Sequence, residues 1–188
     1  MTSASVGADD LTRVRELLGR EPRCPFTVVV RSSDGAPVVI RNPPLLDDGT
    51  PMPTRYWLVG AEEAVAVSRL ESTGAVRRAA QAVGATELAD AHRRYADERD
   101  RDVPADWSGP RPSGGVGGTR MGVKCLHAHF AWFLAGGDDP VGRWVADQLA
   151  RQDAGDPPAA GIPIPADAIA PAGGGRPAPS RRRSGPAA

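Results

Sequence analysis

Two cysteines and three histidines are the side chains in this sequence whose chemistry best suits a transition-metal site or nucleophilic attack. Cys125, His127 and His129 lie within five residues, and Lys124, the only lysine, precedes them. Thiolate and imidazole are ligands that zinc prefers, usually four in a tetrahedron. Closely paired spacings such as C-x2-C are absent, so Cys24 would have to join from a distant part of the chain. We therefore predict a zinc or iron site formed by Cys24, Cys125 and His127.

The partner of Cys125 depends on where the surrounding helix begins. The stretch 119–134 predicts a helix, and in a regular helix residues four apart share a face whereas residues two apart do not. A helix through the whole stretch therefore pairs Cys125 with His129. A helix that begins only after Cys125, which Gly117, Gly118 and Gly122 favour, lets an irregular turn bring Cys125 and His127 together.

The same residues support other hypotheses. Cys125 beside Lys124 and near a helix N-terminus has features of a reactive thiolate, so an enzyme would use Cys125 as nucleophile with His127 or His129 as base. The side chains that would hold its anionic substrate are Arg41, Arg120 and Lys124. A structural interpretation instead buries both cysteines as small apolar groups, with the histidines bonded to backbone carbonyls. For the metal hypothesis, the fourth ligand beside Cys24, Cys125 and His127 would be Asp, Glu, His92 or water.

Two loops are further candidates. The Gly-rich segment 114–120 could present backbone amides to an anion, but it lacks the spacing of a phosphate-binding loop and is more typical of a solvated linker. The Pro-rich segment Asn42–Thr54 is too long for an ordinary connection, and long loops are often functional. It would serve a structural protein-interaction module.

Periodicity predicts the elements that must position these residues. Short runs rich in β-branched and aromatic residues predict a hairpin and a third strand, and apolar stripes at helical spacing predict the helices. The strands are Phe26–Arg31, Val38–Arg41 and Arg55–Val59, and the helices, besides 119–134, are Asp9–Arg20, Ala61–Thr73, Ala75–Val83, Thr86–Asp100 and Pro140–Gln152. The expected fold class is α+β, with a small antiparallel sheet of about three strands and about five helices.

Local signals add detail to three of these elements. Asp9 or Asp10 is expected to cap the first helix, and Asp139 or Asp138 the last. Pro37 lacks an amide hydrogen, so it predicts that the second strand starts at an edge of the sheet.

Composition bounds the organisation and setting of the chain. Over 188 residues the formal net charge is +0, so bulk electrostatics recruit neither nucleic acid nor an anionic membrane. No apolar run approaches the roughly 20 residues of a membrane span, and the N-terminus does not read as a signal peptide. Two distant cysteines are not a disulfide framework, which predicts a reduced, cytoplasmic protein. We expect a flexible N-terminus at 1–8, one α+β domain at 9–153 and a disordered Ala/Pro/Gly/Arg tail at 154–188.

Several short motifs occur in a recognisable order. They are Cys24-Pro25-Phe26, Arg41–Pro44, Asp48–Thr54, Tyr56–Leu58, Ser68–Glu71, Val123–His127 and Asp139–Gly142. From about Val14 to Leu149 the chain resembles the uncharacterised bacterial family catalogued as domain of unknown function 501, found mainly in high-GC Gram-positive bacteria. The arginine-, alanine- and proline-rich composition is typical of such genomes. Thr27 stands where relatives often have Gly, and Asp139 where they often have Asn.

The resemblance implies a cytoplasmic protein and supplies no activity or catalytic residues. Genes that often neighbour those of the family imply a partner linked to cell division or to polyphosphate or guanosine-phosphate metabolism. The resemblance favours a shared site built from Cys24, the Pro-rich loop and the Lys124–His127 motif. Our leading hypothesis is an accessory or binding protein with a Cys/His metal site. The alternatives are an enzyme with Cys125 as nucleophile on an anionic substrate, and a structural interaction module.

Overall fold

A computed structural model describes residues 7–154 of the protein, so the expectations for residues 1–6 and for the tail from 155 onwards lie outside the described residues. The described chain contains six α-helices and a three-stranded sheet, with a short 3-10 turn at Val116–Gly118. Their order is α1 (Ala8–Leu18), β1 (Thr27–Arg31), β2 (Pro37–Arg41), β3 (Tyr56–Leu58), α2 (Ala61–Ser72), α3 (Ala75–Val83), α4 (Ala85–Asp100), α5 (Leu126–Leu134) and α6 (Pro140–Asp153). The α+β fold class is confirmed, and each of the six predicted helical stretches contains a helix, one more than the expected total of about five.

The sheet is antiparallel throughout, in the order β1-β2-β3. The prediction that Pro37 places β2 at an edge is wrong, because β2 is the central strand. Pro37 is its first residue, opposite Arg31, and a missing amide at a strand end removes little of the hydrogen-bond ladder. Four consecutive residues of β2 are buried, as expected for a strand covered on both faces.

The two predicted helix caps had different outcomes. Asp139 caps α6, since its Oδ1 accepts hydrogen bonds from the amides of Val141 at 2.9 Å and Gly142 at 3.1 Å. The capping prediction for α1 is wrong, because Gly7 is the N-cap and no side chain bonds there. Asp10 instead forms an ion pair at 2.7 Å with Arg31 of β1, which ties α1 to the sheet.

Helix α5 lies at the centre of the packing. Its Leu126 and Phe130 belong to an apolar cluster with buried residues of α2, α3, α4 and α6. Its Ala131 and Trp132 belong to a second cluster, with residues of β2, β3 and α4. A third cluster joins α1 to the sheet. No helix within residues 7–154 is long and apolar enough to cross a membrane.

The long connection before α5 is held by a buried arginine. The Arg99 side chain on α4 is 1% exposed and donates to the carbonyls of Gly114 at 2.8 Å, Pro112 at 3.3 Å and Ser113 at 3.5 Å. Its Nε donates to Asp100 at 2.7 Å. One guanidinium thus satisfies three consecutive backbone carbonyls at the point where the Gly-rich segment begins.

We expect Arg99→Leu to lower the free energy of unfolding by about 3 kcal/mol, because buried carbonyls lose charge-assisted hydrogen bonds. Urea unfolding followed by circular dichroism measures this change. Arg93→Leu is the matched control, because Arg93 pairs with Asp90 on an exposed face of the same helix and such pairs contribute about 0–1 kcal/mol. Equal losses in the two variants would contradict the assigned role of Arg99.

Candidate functional site

The start of α5 decides which side chains meet. The helix begins at Leu126, and Cys125 is its N-cap residue with an extended backbone, φ −158° and ψ 128°. The expected helix over 119–134 is therefore wrong in its first turns, where residues 119–125 have no regular structure. The conditional prediction that a late helix start brings Cys125 to His127 is confirmed.

Three side chains converge at this helix start. The Sγ atom of Cys125 lies 3.6 Å from Nδ1 of His127, and that nitrogen lies 3.3 Å from Oε1 of Glu71. One ligand atom from each of the three residues lies within 4.8 Å of the other two. Glu71 belongs to the end of α2, and its Oε1 also accepts the Leu126 amide at 2.5 Å. The site therefore joins two helices.

The second nitrogen of His127 is held by α2. Nε2 lies 3.1 Å from the Ala64 carbonyl and 3.1 Å from Oγ of Ser68. A carbonyl only accepts hydrogen bonds, so Nε2 carries a hydrogen and donates it. Nδ1 is then the nitrogen that faces Cys125 and Glu71. In a metal complex Nδ1 would be the ligating atom. Without a metal, the protonated Nδ1 donates to Cys125 and Glu71.

These contacts favour the charged form of His127. The hydrogen bond with Cys125 is the largest cause that raises the pKa of His127 to about 9, and the charge of Glu71 adds to it, whereas burial opposes it. Without a metal, the imidazole is therefore protonated at neutral pH. The site still reaches the surface, because the His127 and Glu71 side chains are 25% and 26% exposed.

Cys24 lies outside this group. It is buried, and its Sγ lies 3.8 Å from Oδ1 of Asn42. Burial raises the pKa of the Cys24 thiol. Among residues 7–154, the group whose donor atoms lie close enough to hold a metal consists of Glu71, Cys125 and His127. Glu71 is thus the third member of the group, where the sequence predicted Cys24.

His129 lies in the interior, away from the candidate site. Its Nδ1 bonds to Asp139 Oδ2 at 2.7 Å, and the two side chains are 1% and 0% exposed. The same Asp139 caps α6, so the pair joins α5 to α6. This burial favours a structural role for His129 over that of a base for Cys125.

The neighbouring His92 also uses both of its nitrogens. Nδ1 accepts the Val116 amide at 3.1 Å, and Nε2 lies 2.9 Å from the Gly122 carbonyl. Burial is the main cause that lowers the pKa of His92. A neutral His92 thus fastens the 3-10 turn and the segment before α5, and is not a fourth ligand of the group at Cys125.

The predicted anion-binding side chains have separate surroundings. Arg41 is exposed at the end of β2, Lys124 reaches the Gly117 carbonyl at 3.5 Å, and Arg120 lines a cavity beside α4. The Pro-rich loop is folded, with a bridge between Leu45 and Pro51.

Sequence reasoning did not single out Glu71, Ser68 and Ala64 as site residues. Ala64, Ser68 and Glu71 occur at positions i, i+4 and i+7 of α2 and therefore share a face. Ser68 and Glu71 also begin and end one of the motifs that carry the family resemblance. Periodicity thus groups the three residues, but it does not reveal that His127 packs on that face.

We expect the His127 ring to titrate near pH 9 in the metal-free protein. Proton NMR of the imidazole in the presence of EDTA measures this pKa. Cys125→Ala should move it down towards the ordinary value of about 6.5, because the largest cause of the shift is removed. Glu71→Gln should move it down by less. A pKa that Cys125→Ala leaves unchanged would contradict this arrangement.

The same shift predicts a pH-dependent stability. A folded-state pKa raised above the unfolded value contributes stability that is complete below pH ~6.5 and is lost as the pH rises through about 9. Urea unfolding in EDTA should show this loss in the wild type. The loss should be smaller in His127→Gln, and identical profiles would contradict the charged His127.

Comparison with known proteins places the chain in a family. Neither the curated proteins nor the solved structures contain a significant match. A scan against protein families matches residues 28–147, more than half of the chain, within the extent of the resemblance noted from the motifs. The matched segment contains Glu71, Cys125 and His127. The chain belongs to the family described as Protein of unknown function (DUF501).

Proposed function

We propose that this protein binds zinc through Glu71, Cys125 and His127 and leaves one coordination position open to solvent. The observation that carries the proposal is the distance from His127 Nδ1 to each of the other two donor atoms. In tetrahedral zinc with bonds of about 2.3 Å to sulfur and about 2.0–2.1 Å to nitrogen or oxygen, S and N lie about 3.5 Å apart and N and O about 3.3 Å apart. The corresponding distances here are 3.6 Å and 3.3 Å.

The groups that surround the three donor atoms also support zinc binding. Metal-bound histidines usually donate their other N–H to a carbonyl or carboxylate, which fixes the ring and its tautomer. The contact of His127 Nε2 with the Ala64 carbonyl has this form. Metal-bound carboxylates are also usually hydrogen-bonded, and Glu71 accepts the Leu126 amide. The donors are therefore oriented by backbone groups of two packed helices.

The charges of the site suit a divalent cation. A thiolate and a carboxylate together balance two positive charges, and neutral His127 supplies the third ligand. Because the metal-free His127 is protonated below pH ~9, zinc must displace that proton. Zinc affinity should therefore rise with pH up to about 9.

The open position follows from the number of donors and from their exposure. Within residues 7–154 the group has three ligand residues, whereas zinc takes four ligands. Partial exposure of His127 and Glu71 gives water or a small ligand access to the fourth position. Catalytic zinc sites have three protein ligands and one exchangeable ligand, whereas structural zinc sites have four protein ligands.

Zinc binding is tested with purified protein and a competing chromophoric chelator. We expect about one zinc per chain. Cys125→Ser and His127→Gln should weaken affinity by at least about 100-fold, since loss of even the surrounding partners costs about 10–100-fold. Glu71→Gln should weaken it as well.

Cys24→Ser is the matched control for the zinc measurement, because it removes the other thiol from the chain. It should bind zinc like the wild type. Loss of zinc in Cys24→Ser with retention in Glu71→Gln would restore the ligand set predicted from the sequence. No zinc in the wild type under reducing conditions would refute the proposal.

A second candidate function is a thiol enzyme that uses the same residues. It is favoured by the place of Cys125 at the N-cap of α5 with its Sγ 3.6 Å from a cationic imidazole. A helix N-terminus and a nearby positive charge both stabilise a thiolate. Cys125 would then be the nucleophile, with His127 as its charged partner.

Alkylation of the metal-free protein tests this alternative, and Cys24 is its internal control. We expect iodoacetamide at neutral pH to modify Cys125 much faster than Cys24, which is buried and has a raised pKa. Mass spectrometry of proteolytic peptides measures both rates in one sample. Zinc should protect Cys125 if the first proposal is right. Slow modification of Cys125 without zinc would exclude the thiolate enzyme.

A further inference from the structure

A cavity of about 350 Å³ lies beside the segment that leads into α5. Its lining includes Ala80 of α3 and Ala85, Leu88 and Ala89 of α4. The volume is near the lower end of about 300–1,000 Å³ for ligand pockets, so it suits a small molecule.

The cavity lining also contains the most exposed large apolar side chain among residues 7–154. Met121 is 85% exposed, whereas Leu11 and Val65 are 37% and 48% exposed. Methionine is flexible and adapts to varied apolar partners. An apolar ligand seated against Ala85 and Leu88 would cover Met121 and remove it from water.

Arg120 supplies the charge of the cavity. It is exposed, and in the described part of the chain no carboxylate lies within ion-pair distance of it. The lining residues include no acidic side chain. His92 also lines the cavity, but its two nitrogens are engaged by Val116 and Gly122. Among the side chains that line the cavity, the available polar group is therefore the Arg120 guanidinium.

From these features we propose that the cavity binds a small monocarboxylate with an apolar chain. The chain lies against Ala85, Leu88 and Met121, and the carboxylate pairs with Arg120. A planar guanidinium matches a carboxylate with two parallel hydrogen bonds, which favours this anion. The cavity does not contain Glu71, Cys125 or His127, so the proposal is independent of zinc binding.

The probe is hexanoate, with hexanamide as its uncharged counterpart, titrated into the full chain and followed by 1H–15N NMR. We expect saturable shifts at Leu88, Ala89 and Gly122. Hexanamide should bind more weakly. Arg120→Gln should weaken hexanoate by about fivefold, as expected for a partly exposed ion pair, and should leave hexanamide unchanged. Arg111→Gln is the matched control, because Arg111 is exposed and does not line the cavity.

Two further variants separate this proposal from the others. Ala89→Trp should fill the cavity and abolish the shifts, and Cys125→Ser should bind hexanoate like the wild type. Shifts without saturation, or equal binding of hexanoate by the wild type and Arg120→Gln, would overturn the proposal. Loss of binding in Cys125→Ser would overturn the independence of the two sites, whatever the outcome for zinc.

Discussion

The hydrogen bond between the Glu71 carboxylate and the Leu126 amide is the interaction on which the candidate site depends. It satisfies the first amide of α5, so the helix begins there and Cys125 keeps an extended backbone. With that backbone geometry, the side chains of Cys125 and His127 both face Glu71. In a regular helix, residues two apart point in different directions and could not do so. The bond also draws α2 to α5, and the buried Val67, Leu70 and Leu126 hold this contact in place.

Two histidines on α5 show how position alone separates their roles. His127 is partly exposed on the first turn, where Cys125 and Glu71 stabilise its positive charge. His129 follows two residues later, points into the interior and bonds to Asp139, which is itself committed to capping α6. A charged histidine near the surface can exchange its proton for a metal. A buried His–Asp pair of this kind mainly fixes the packing of two helices.

The sequence predicted the elements better than it predicted the site. Runs of β-branched and aromatic residues located all three strands, and apolar stripes with Gly19 and Asp139 located the helices apart from the first turns expected in the stretch 119–134, because these signals are local. The pairing of Cys125 with His127 was predicted only on condition of a late helix start, since the glycines permit that start without requiring it. Glu71 lies 55 residues before Leu126 in the chain, and only tertiary packing brings them together. Cys24 was chosen for its chemistry, but its position in the fold buries it beside Asn42.

X-ray absorption spectroscopy of the zinc-loaded protein tests the central claim most directly, because it counts the donor atoms around the metal. Binding by Glu71, Cys125 and His127 predicts one sulfur at about 2.3 Å and nitrogen or oxygen donors at about 2.0–2.2 Å, with the sulfur shell lost in Cys125→Ser. Four-coordinate zinc would confirm that a ligand from outside the three residues fills the open position. Two sulfur donors would place Cys24 at the metal and contradict this ligand set, and a shell without sulfur would remove Cys125 from it.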